Sequence, residues 1–507
     1  MSERTSFAPL QAPARAREDV GPRPAPPAPG PPVLATADID ALFGRQRAHQ
    51  WAVPRRTAAE RVALLRQLKR AIVARREEIL DAMHADFRKN RSESELSEIQ
   101  LVLNELNAAI AGTPRWMKPV KVATPLHLLG TRSRIQHEPR GVVLIVAAWN
   151  YPFALLFAPL AAAVAAGNCV FMRPSEKVPH TSAVAGRIVS DVFPPEEAVL
   201  VGGGQSVAQH LLTLPFDHVF FTGSTPVGRT VMAAAAPRLT SVTLELGGKS
   251  PAIVDETADV EHAARSIMWG KFVNAGQTCV APDYAFVHAT RVDAFCDAAR
   301  RVLEGFYGAS EDERQASEDY CRMIDEASCA RVAALIEEAV RAGATVEIGG
   351  RVDVAQRYIA PTVLSGVGRD AAIMQDEIFG PVLPVVAYGS QDEVIEYLRE
   401  RPKPLAMYVF SESDLNVEDF LGRTTAGGTV VNNCLIHLMN PNLPFGGVGE
   451  SGFGRYHGRF GFEAFSHARA VLVQGRPRLS QMFYPPYARL KEGWLGTVLA
   501  FARRMRD

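Results

Sequence analysis

Between residues 141 and 254 the chain returns five times to a short apolar run, at 142–148, 169–172, 199–202, 218–222 and 241–246, with helical stretches between them. The runs are rich in Val, Leu and Phe and show no polar alternation, the pattern of strands buried on both faces. Parallel strands need a crossover connection, usually a helix, so the expectation is an α/β fold with a parallel sheet covered by helices. Such sheets take ligands at the carboxyl ends of their strands. One turn adds to this. After 218–222 comes Gly223-Ser224-Thr225-Pro226-Val227-Gly228, where Thr225 suits an N-cap and Pro226 the first helical position. A helix N-terminus opening directly off a strand attracts phosphate oxygens. The turn is not a GxGxxG fingerprint, and a purely structural turn fits the same residues.

The 507 residues call for two or three domains. Lys plus Arg (55) equals Asp plus Glu (55), so no basic field exists to hold nucleic acid. Six cysteines are scattered without CxxC pairs or a dense even framework, which argues against a metal site and for a reducing, cytoplasmic setting. Residues 1–36 form a Pro-rich tail expected to be disordered. Thr57-Ala58-Ala59-Glu60 is a capping box, and Val62, Leu65, Leu68, Ile72, Ile79 and Met83 at helical spacing predict one long amphipathic helix. A second helix is expected from Glu93 through Leu96, Ile99, Leu103 and Leu106 toward Gly112, with a connector after Pro114. A further βα region follows Asp255, with helices at 261–272, 292–306 and 330–343 and strands at 284–288 and 382–387. From Val430 an Asn- and Gly-rich stretch containing Pro444-Phe445-Gly446-Gly447-Val448-Gly449 reads as a long ordered loop. Residues 494–506 make a basic amphipathic tail too short to span a bilayer. It is read as packing on a subunit or its own domain, with peripheral membrane contact as the alternative.

The chemistry centres on Asn274-Ala275-Gly276-Gln277-Thr278-Cys279-Val280-Ala281-Pro282-Asp283. A lone cysteine is more often a small buried apolar residue than a catalyst. Here its company matters. If Cys279 attacks an aldehyde, the adduct oxygen needs preorganised donors, and Asn150, just beyond the run 142–148, supplies a side-chain amide. Expelling hydride from the adduct implies a nicotinamide acceptor. Release of the resulting thioester needs water and a base, for which Glu245, at the end of 241–246, is the candidate. A turn role for Asn150 and a structural pairing of Glu245 with Lys249 remain open on these residues alone.

Trp149-Asn150-Tyr151-Pro152, Gly223-Ser224-Thr225-Pro226-Val227-Gly228, Glu245-Leu246-Gly247-Gly248-Lys249, the Cys279 stretch and Glu377-Ile378-Phe379-Gly380-Pro381 together resemble the NAD(P)-dependent aldehyde dehydrogenases, in that family's order, from about residue 38 to about 475. The Cys279 stretch and the 444–449 loop are similar to the class 3, fatty-aldehyde and coniferyl-aldehyde branch. The resemblance implies Cys279 as nucleophile, Glu245 as general base and Asn150 as oxyanion donor. It implies Trp149 beside the nicotinamide, Gly223 and Ser224 (with Thr225 and Gly228 in the same turn) at the pyrophosphate, Glu176 at the adenosine ribose, Glu377 and Phe379 at the nicotinamide ribose, and Lys249 supporting Glu245. Arg173 stands where the family commonly has Lys. Its fork suits a phosphate whereas Glu176 repels one, so NAD is expected with NADP tolerated.

The implied layout is a Rossmann-like cofactor domain (37–117 and 141–246), an α/β catalytic domain (247–429), and a small β oligomerisation module with cleft loop and tail (118–140 and 430–507), hence a homodimer. The implied substrate is a medium- or long-chain aliphatic or an aromatic, coniferyl-like aldehyde, with Tyr151, Phe153, Phe445 and Phe453 as aromatic candidates for its pocket. The rivals are an acylating relative that passes the thioester to coenzyme A or phosphate, a non-catalytic binding protein on the same scaffold, and a cofactor-independent cysteine hydrolase.

Overall fold

The structure, a computed structural model, describes residues 30–31, 33–125, 128, 130–476, 478 and 484–485. Most of the Pro-rich tail and all of the 494–506 segment lie outside the described residues.

The apolar runs form a six-stranded sheet in the order Gly452–Phe453, Ser241–Glu245, His218–Thr222, Val142–Val146, Cys169–Arg173, Ala198–Leu200. All neighbours are parallel except the first pair. The strand order reverses between His218–Thr222 and Val142–Val146, so the crevice beyond their carboxyl ends is the switch point where α/β sheets bind ligands. The residues that follow those two strands are Ala147 to Asn150 and Gly223 to Ser224. The helix Ala154–Ala166 is apolar all round, with every residue but Leu155 buried, as expected of a helix inside the core.

A second sheet of seven strands runs Thr345–Ile348, Thr362–Ser365, Val382–Tyr388, Tyr284–His288, Pro251–Val254, Ala406–Phe410, Gly428–Val431. Only its first pair is antiparallel. A third sheet is antiparallel, with Thr131–Pro139 between Val120–Val122 and Ser466–Gln474.

Three local expectations need correction. The capping box at Thr57 is present with both bonds. The helix it starts, however, ends at Ala74, because Arg75 leaves the helical region (φ −107°, ψ 19°) before a separate helix Arg76–Phe87 begins. The second predicted helix is interrupted by a π turn at Glu95–Ile99, which rotates Leu96 outward to 59% exposure while Ile99 and Leu106 stay buried. It then runs through Pro114 to Trp116, so no connector starts there. Finally, Ser224 rather than Thr225 is the N-cap of the helix Thr225–Ala235, and the Thr225 hydroxyl instead donates to the Glu450 carbonyl.

Candidate active site

Two cavities meet at Cys279. One, of about 290 Å³, is lined by Trp149, Asn150, Thr222, Gly223, Ser224, Glu245, Gly247, Glu377 and Phe379, together with Lys177 and Arg331. The other, of about 150 Å³, is lined mostly by apolar groups that include Leu96, Leu101, Tyr151, Leu155, Trp269, Val273, Met439 and Phe445. Cys279 lines both, so its sulfur stands between a polar cleft at the sheet's switch point and an apolar chamber. Of the aromatic candidates, Tyr151 and Phe445 line the chamber. Phe153 is fully buried against Phe157 and Phe453 is 38% exposed, so neither does.

The loop carrying Cys279 is strained. Asn274, Ala275 and Gly276 are successive left-handed residues (φ 54°, 49° and 74°), a conformation costing a non-glycine residue on the order of 1–3 kcal/mol. The cost is sustained by hydrogen bonds. Asn274 Nδ2 donates to the carbonyls of Asn150 (2.9 Å) and Gln277 (3.1 Å). Gln277 Nε2 donates to the carbonyls of Asn274 and Arg322, and its Oε1 accepts the Ile324 N–H. Gly276 is also required by space, since a Cβ there would lie 2.3 Å from the Gly380 carbonyl oxygen. The Tyr151 hydroxyl bonds Thr278 Oγ1 at 2.7 Å, tying the residue before the nucleophile to the loop after Val142–Val146.

Burial pushes the Cys279 thiol up to about 12, with the Glu377 and Glu245 carboxyls adding to it and the N–H groups of Cys279 and Val280 opposing. The resting group is therefore a protonated thiol that needs a base. Glu245 is 2% exposed, burial holds its carboxyl well above the usual range, and neither oxygen has a hydrogen-bond partner among the described residues. A neutral carboxyl facing the same cavity as the thiol is the arrangement of an acid–base group awaiting substrate or water. Asn150 spends one N–H on the Gln277 carbonyl at 3.1 Å, which fixes the amide and leaves its second N–H uncommitted.

Lys249 does not pair with or support Glu245. Its ammonium binds Asp283 and the carbonyls of Ile373 and Asp376. Strand pairing explains the difference, because Glu245 ends its strand in register with Thr222 and Gly452 whereas Lys249 lies beyond the two glycines at the start of the next sheet. Asp283 in turn accepts the Ile378 N–H at 3.0 Å and so links the nucleophile segment to Glu377 and Phe379.

The polar cleft fits a dinucleotide. Ser224 caps the helix Thr225–Ala235 without a side-chain bond, which leaves first-turn N–H groups facing the space that Gly223 and Ser224 line. Glu377 sits directly on the Gly247 backbone, where a Cβ would be 2.0 Å from its Oε2. Its carboxyl is raised to about 8 by burial and by Asp283, against the pull of the Gly248 N–H, Lys249 and Lys271. Trp149 and Phe379 meet edge to face at 5.4 Å. Four expected cofactor residues are not on the cavity lining. Gly228 is buried where a Cβ would be 2.6 Å from the Leu246 side chain, a packing requirement, and Thr225 turns to Glu450. Arg173 and Glu176 bind each other at 2.6 Å, and Arg173 Nη2 also reaches the carbonyls of Gly203 and Gly204.

Sequence reasoning did not single out Asn274, Gln277 and Asp283 as the residues that hold the loop, nor Lys177 and Arg331 as cleft cations. The three polar side chains packed around one thiol were the available signal.

The sequence matches the model of the aldehyde dehydrogenase family over residues 30–471. It is 44% identical, over 83% of this chain and 91% of the other, to the 4,4'-diaponeurosporen-aldehyde dehydrogenase of Staphylococcus aureus. It is 42% identical to the dimeric NADP-preferring aldehyde dehydrogenase of Mus musculus, over 84% of this chain and 93% of the other. The fold superposes on a solved structure described as the substrate-bound state of Staphylococcus aureus AldH with a TM-score of 0.87 and 41% identity, covering 91% of this chain and 99% of that one.

Proposed function

Since the chain belongs to the aldehyde dehydrogenase family and is an NAD(P)-dependent, aldehyde-oxidising enzyme, we propose that it works through a covalent Cys279 thioester hydrolysed by water that Glu245 activates. The observation that carries this reading is the placement of one thiol on both an apolar chamber and a polar cleft, with a buried carboxyl on the same cleft that has no hydrogen-bond partner among the described residues.

The aldehyde enters the apolar chamber, Glu245 gives up its own proton to solvent through the cleft, and Cys279 Sγ adds to the carbonyl carbon as its proton passes to the resulting Glu245 carboxylate. The free N–H of Asn150 and the Cys279 backbone N–H stabilise the alkoxide of the thiohemiacetal. A nicotinamide cofactor held in the cleft by Gly223, Ser224, Glu377 and Phe379 would supply the acceptor for the hydride that leaves the thiohemiacetal carbon. Cys279 then holds a thioester. Glu245, having released the thiol's proton to solvent through the cleft, takes a proton from water, the hydroxide adds to the thioester carbon, the C–S bond breaks, and the proton on Glu245 passes to the departing thiolate to give the carboxylic acid and free thiol. An acylating route to coenzyme A or phosphate has no use for a carboxylate that activates water, and a non-catalytic protein or cysteine hydrolase has no use for the cleft residues Glu377 and Ser224.

Gly223 and Ser224 would hold the pyrophosphate, Glu377 and Phe379 the nicotinamide ribose, and Trp149 the ring's side of the cleft, with Arg173 and Glu176 at the adenosine end. The Arg173–Glu176 ion pair tempers both the phosphate preference of one and the phosphate repulsion of the other, which supports NAD with NADP tolerated. The apolar lining supports medium- or long-chain aliphatic and aromatic aldehydes. The three-stranded sheet, with Val120, Val122, Leu472 and Val473 exposed, supports a homodimer built through residues 118–140 and 430–507, beside a cofactor domain of 37–117 and 141–246 and a catalytic domain of 247–429. Six free cysteines support a cytoplasmic setting. No helix among the described residues is long and apolar enough to cross a membrane. Absorbance of the reduced nicotinamide, followed with an aldehyde panel and both cofactors in the absence of coenzyme A, tests the scheme. Turnover that appears only when coenzyme A or phosphate is added would replace hydrolysis with acyl transfer.

A further inference from the structure

Behind the two loops that meet at Cys279 lies a buried cation that the chemistry above does not use. Lys89 is fully buried, and its ammonium is 3.0 Å from Glu98 Oε1 and 4.0 Å from the ring centroid of Tyr151. Glu98 is equally buried, and its other oxygen accepts the N–H groups of Phe153 and Ala154, both at 3.0 Å. Phe153 is the N-cap of the helix Ala154–Ala166, so this carboxylate anchors the Asn150–Tyr151 loop at the positive end of a buried helix. Glu93 does the same for the nucleophile loop. Its Oε1 accepts the N–H of Asn274 at 3.0 Å, at the first of the three left-handed residues. The field of Lys89 draws both carboxyls toward their charged forms, against the burial that raises them.

Glu93 and Glu98 are five residues apart, which on an α-helix, at about 100° per residue, would point them about 140° away from each other. The π turn Glu95–Ile99, closed by the Gln100 N–H on the Glu95 carbonyl, widens the winding so that residues five apart come round toward one face. The irregularity that turns Leu96 outward thus sets Glu98 on the Lys89 ammonium and leaves Glu93, on the preceding turn, within its field. A buried ion pair is weak evidence for stability, since apolar residues of similar volume often serve as well, and its use must be sought in what it orients.

We infer that Lys89 is a positioning residue: through Glu93 and Glu98 it holds the Asn274–Cys279 and Asn150–Ala154 segments in the relative register that sets Cys279 against the Asn150 amide. The inference rests on Cys279 being the nucleophile.

The test compares Lys89→Met with the triple variant Lys89→Met/Glu93→Gln/Glu98→Gln, which removes all three charges and keeps carboxamide oxygens that accept the same N–H groups. The readouts are the first-turnover NADH burst rate, the rate of Cys279 alkylation by iodoacetamide, and the NAD dissociation constant from tryptophan fluorescence. Lys89→Met should slow the burst by on the order of 10- to 100-fold, the cost of a misplacement of about 1 Å, with NAD affinity near wild type. The triple variant should regain most of the burst. A wild-type burst in folded Lys89→Met overturns the inference, as does NAD affinity falling in step with the burst, or a folded triple variant as slow as Lys89→Met. If Lys89→Met does not fold, the triple variant decides by its own burst: near wild type supports the inference and a slow burst overturns it. Failure of both to fold also overturns it, because the cation then serves the fold alone. Turnover retained in Cys279→Ala would instead sink the proposed covalent scheme, which keeps the two failures apart.

Discussion

Gly247→Ala tests the cofactor cleft at its tightest point. A Cβ at residue 247 would lie 2.0 Å from Glu377 Oε2 and 2.7 Å from its carboxyl carbon. An ordinary C···O contact is about 3.3 Å, so the carboxyl must retreat by roughly 1.3 Å. Gly247 is not among the positive-φ residues, so the backbone itself accepts alanine and the effect falls on Glu377. The Gly248 N–H draws that carboxyl toward its charged form, and retreat weakens the pull and carries the group out of its position on the cleft wall. A displacement of about 1 Å costs on the order of 100-fold where geometry is catalytic, so we expect NAD to bind roughly 10- to 100-fold more weakly, with the acylation rate at saturating NAD also reduced. Alkylation of Cys279 by iodoacetamide, which needs no cofactor, should stay near the wild-type rate. The decisive comparison is a double-mutant cycle with Glu377→Ala. Removing the carboxyl removes the clash, so Gly247→Ala should add little in that background. Wild-type NAD affinity in Gly247→Ala, or a full additional loss on top of Glu377→Ala, would refute the argument.

Cys279→Ala should abolish turnover and leave NAD binding intact, measured by the burst assay and fluorescence titration; retained activity would end the covalent scheme. Glu245→Gln should lose the NADH burst together with steady-state turnover, because no base then takes the Cys279 proton, and a burst kept at the wild-type rate would confine Glu245 to the activation of water. Leu101→Trp, set in the apolar chamber, should raise KM for decanal more than for propanal with little change in kcat. Burial raises Glu93 and Glu105 to about 7 and Glu377 to about 8 from 4.5, so the folded state holds more protons than the unfolded one between those values. Their contribution is therefore fully present below about 4.5 and is lost as pH rises to about 8; the thermal midpoint should fall over that window, and Glu377→Gln should flatten the fall.

The parallel sheet was legible because strands buried on both faces cannot alternate, and the five runs survive in the structure within a few residues of their expected ends. The site was legible for a different reason. Glu245 ends a strand, Asn150 lies just beyond one and Cys279 follows a sharp turn, positions that put all three on the wall of one crevice. What could not be read were features set by tertiary partners. Arg75 breaks a helix whose apolar spacing continues unbroken, and the π turn at Glu95–Ile99 leaves no mark on the hydrophobic period except a leucine facing solvent. Lys249, which the resemblance set in support of Glu245, instead binds Asp283, 34 residues away along the chain. Arg173 and Glu176 were weighed separately although they neutralise each other in space.

The same burial that makes Cys279 a poor thiolate also makes Glu245 a better base, and the two effects have to be taken together. In water, a thiol near 9.0 and a carboxyl near 4.5 are badly matched, because moving the proton from sulfur to oxygen runs uphill by the full difference. Inside the cleft, desolvation disfavours each charged form, lifting thiol and carboxyl in the same direction. Transfer between them exchanges one buried anion for another, so the large cost of creating a charge in a dry site is common to both sides and cancels. What remains is local. The Cys279 and Val280 N–H groups stabilise a thiolate, whereas Glu245 has no donor among the described residues to stabilise a carboxylate. A hydrogen bond supplied to Glu245 by a neighbouring substitution would therefore weaken it as a base while leaving the thiol unchanged, and should slow the chemical step even though it adds a favourable contact.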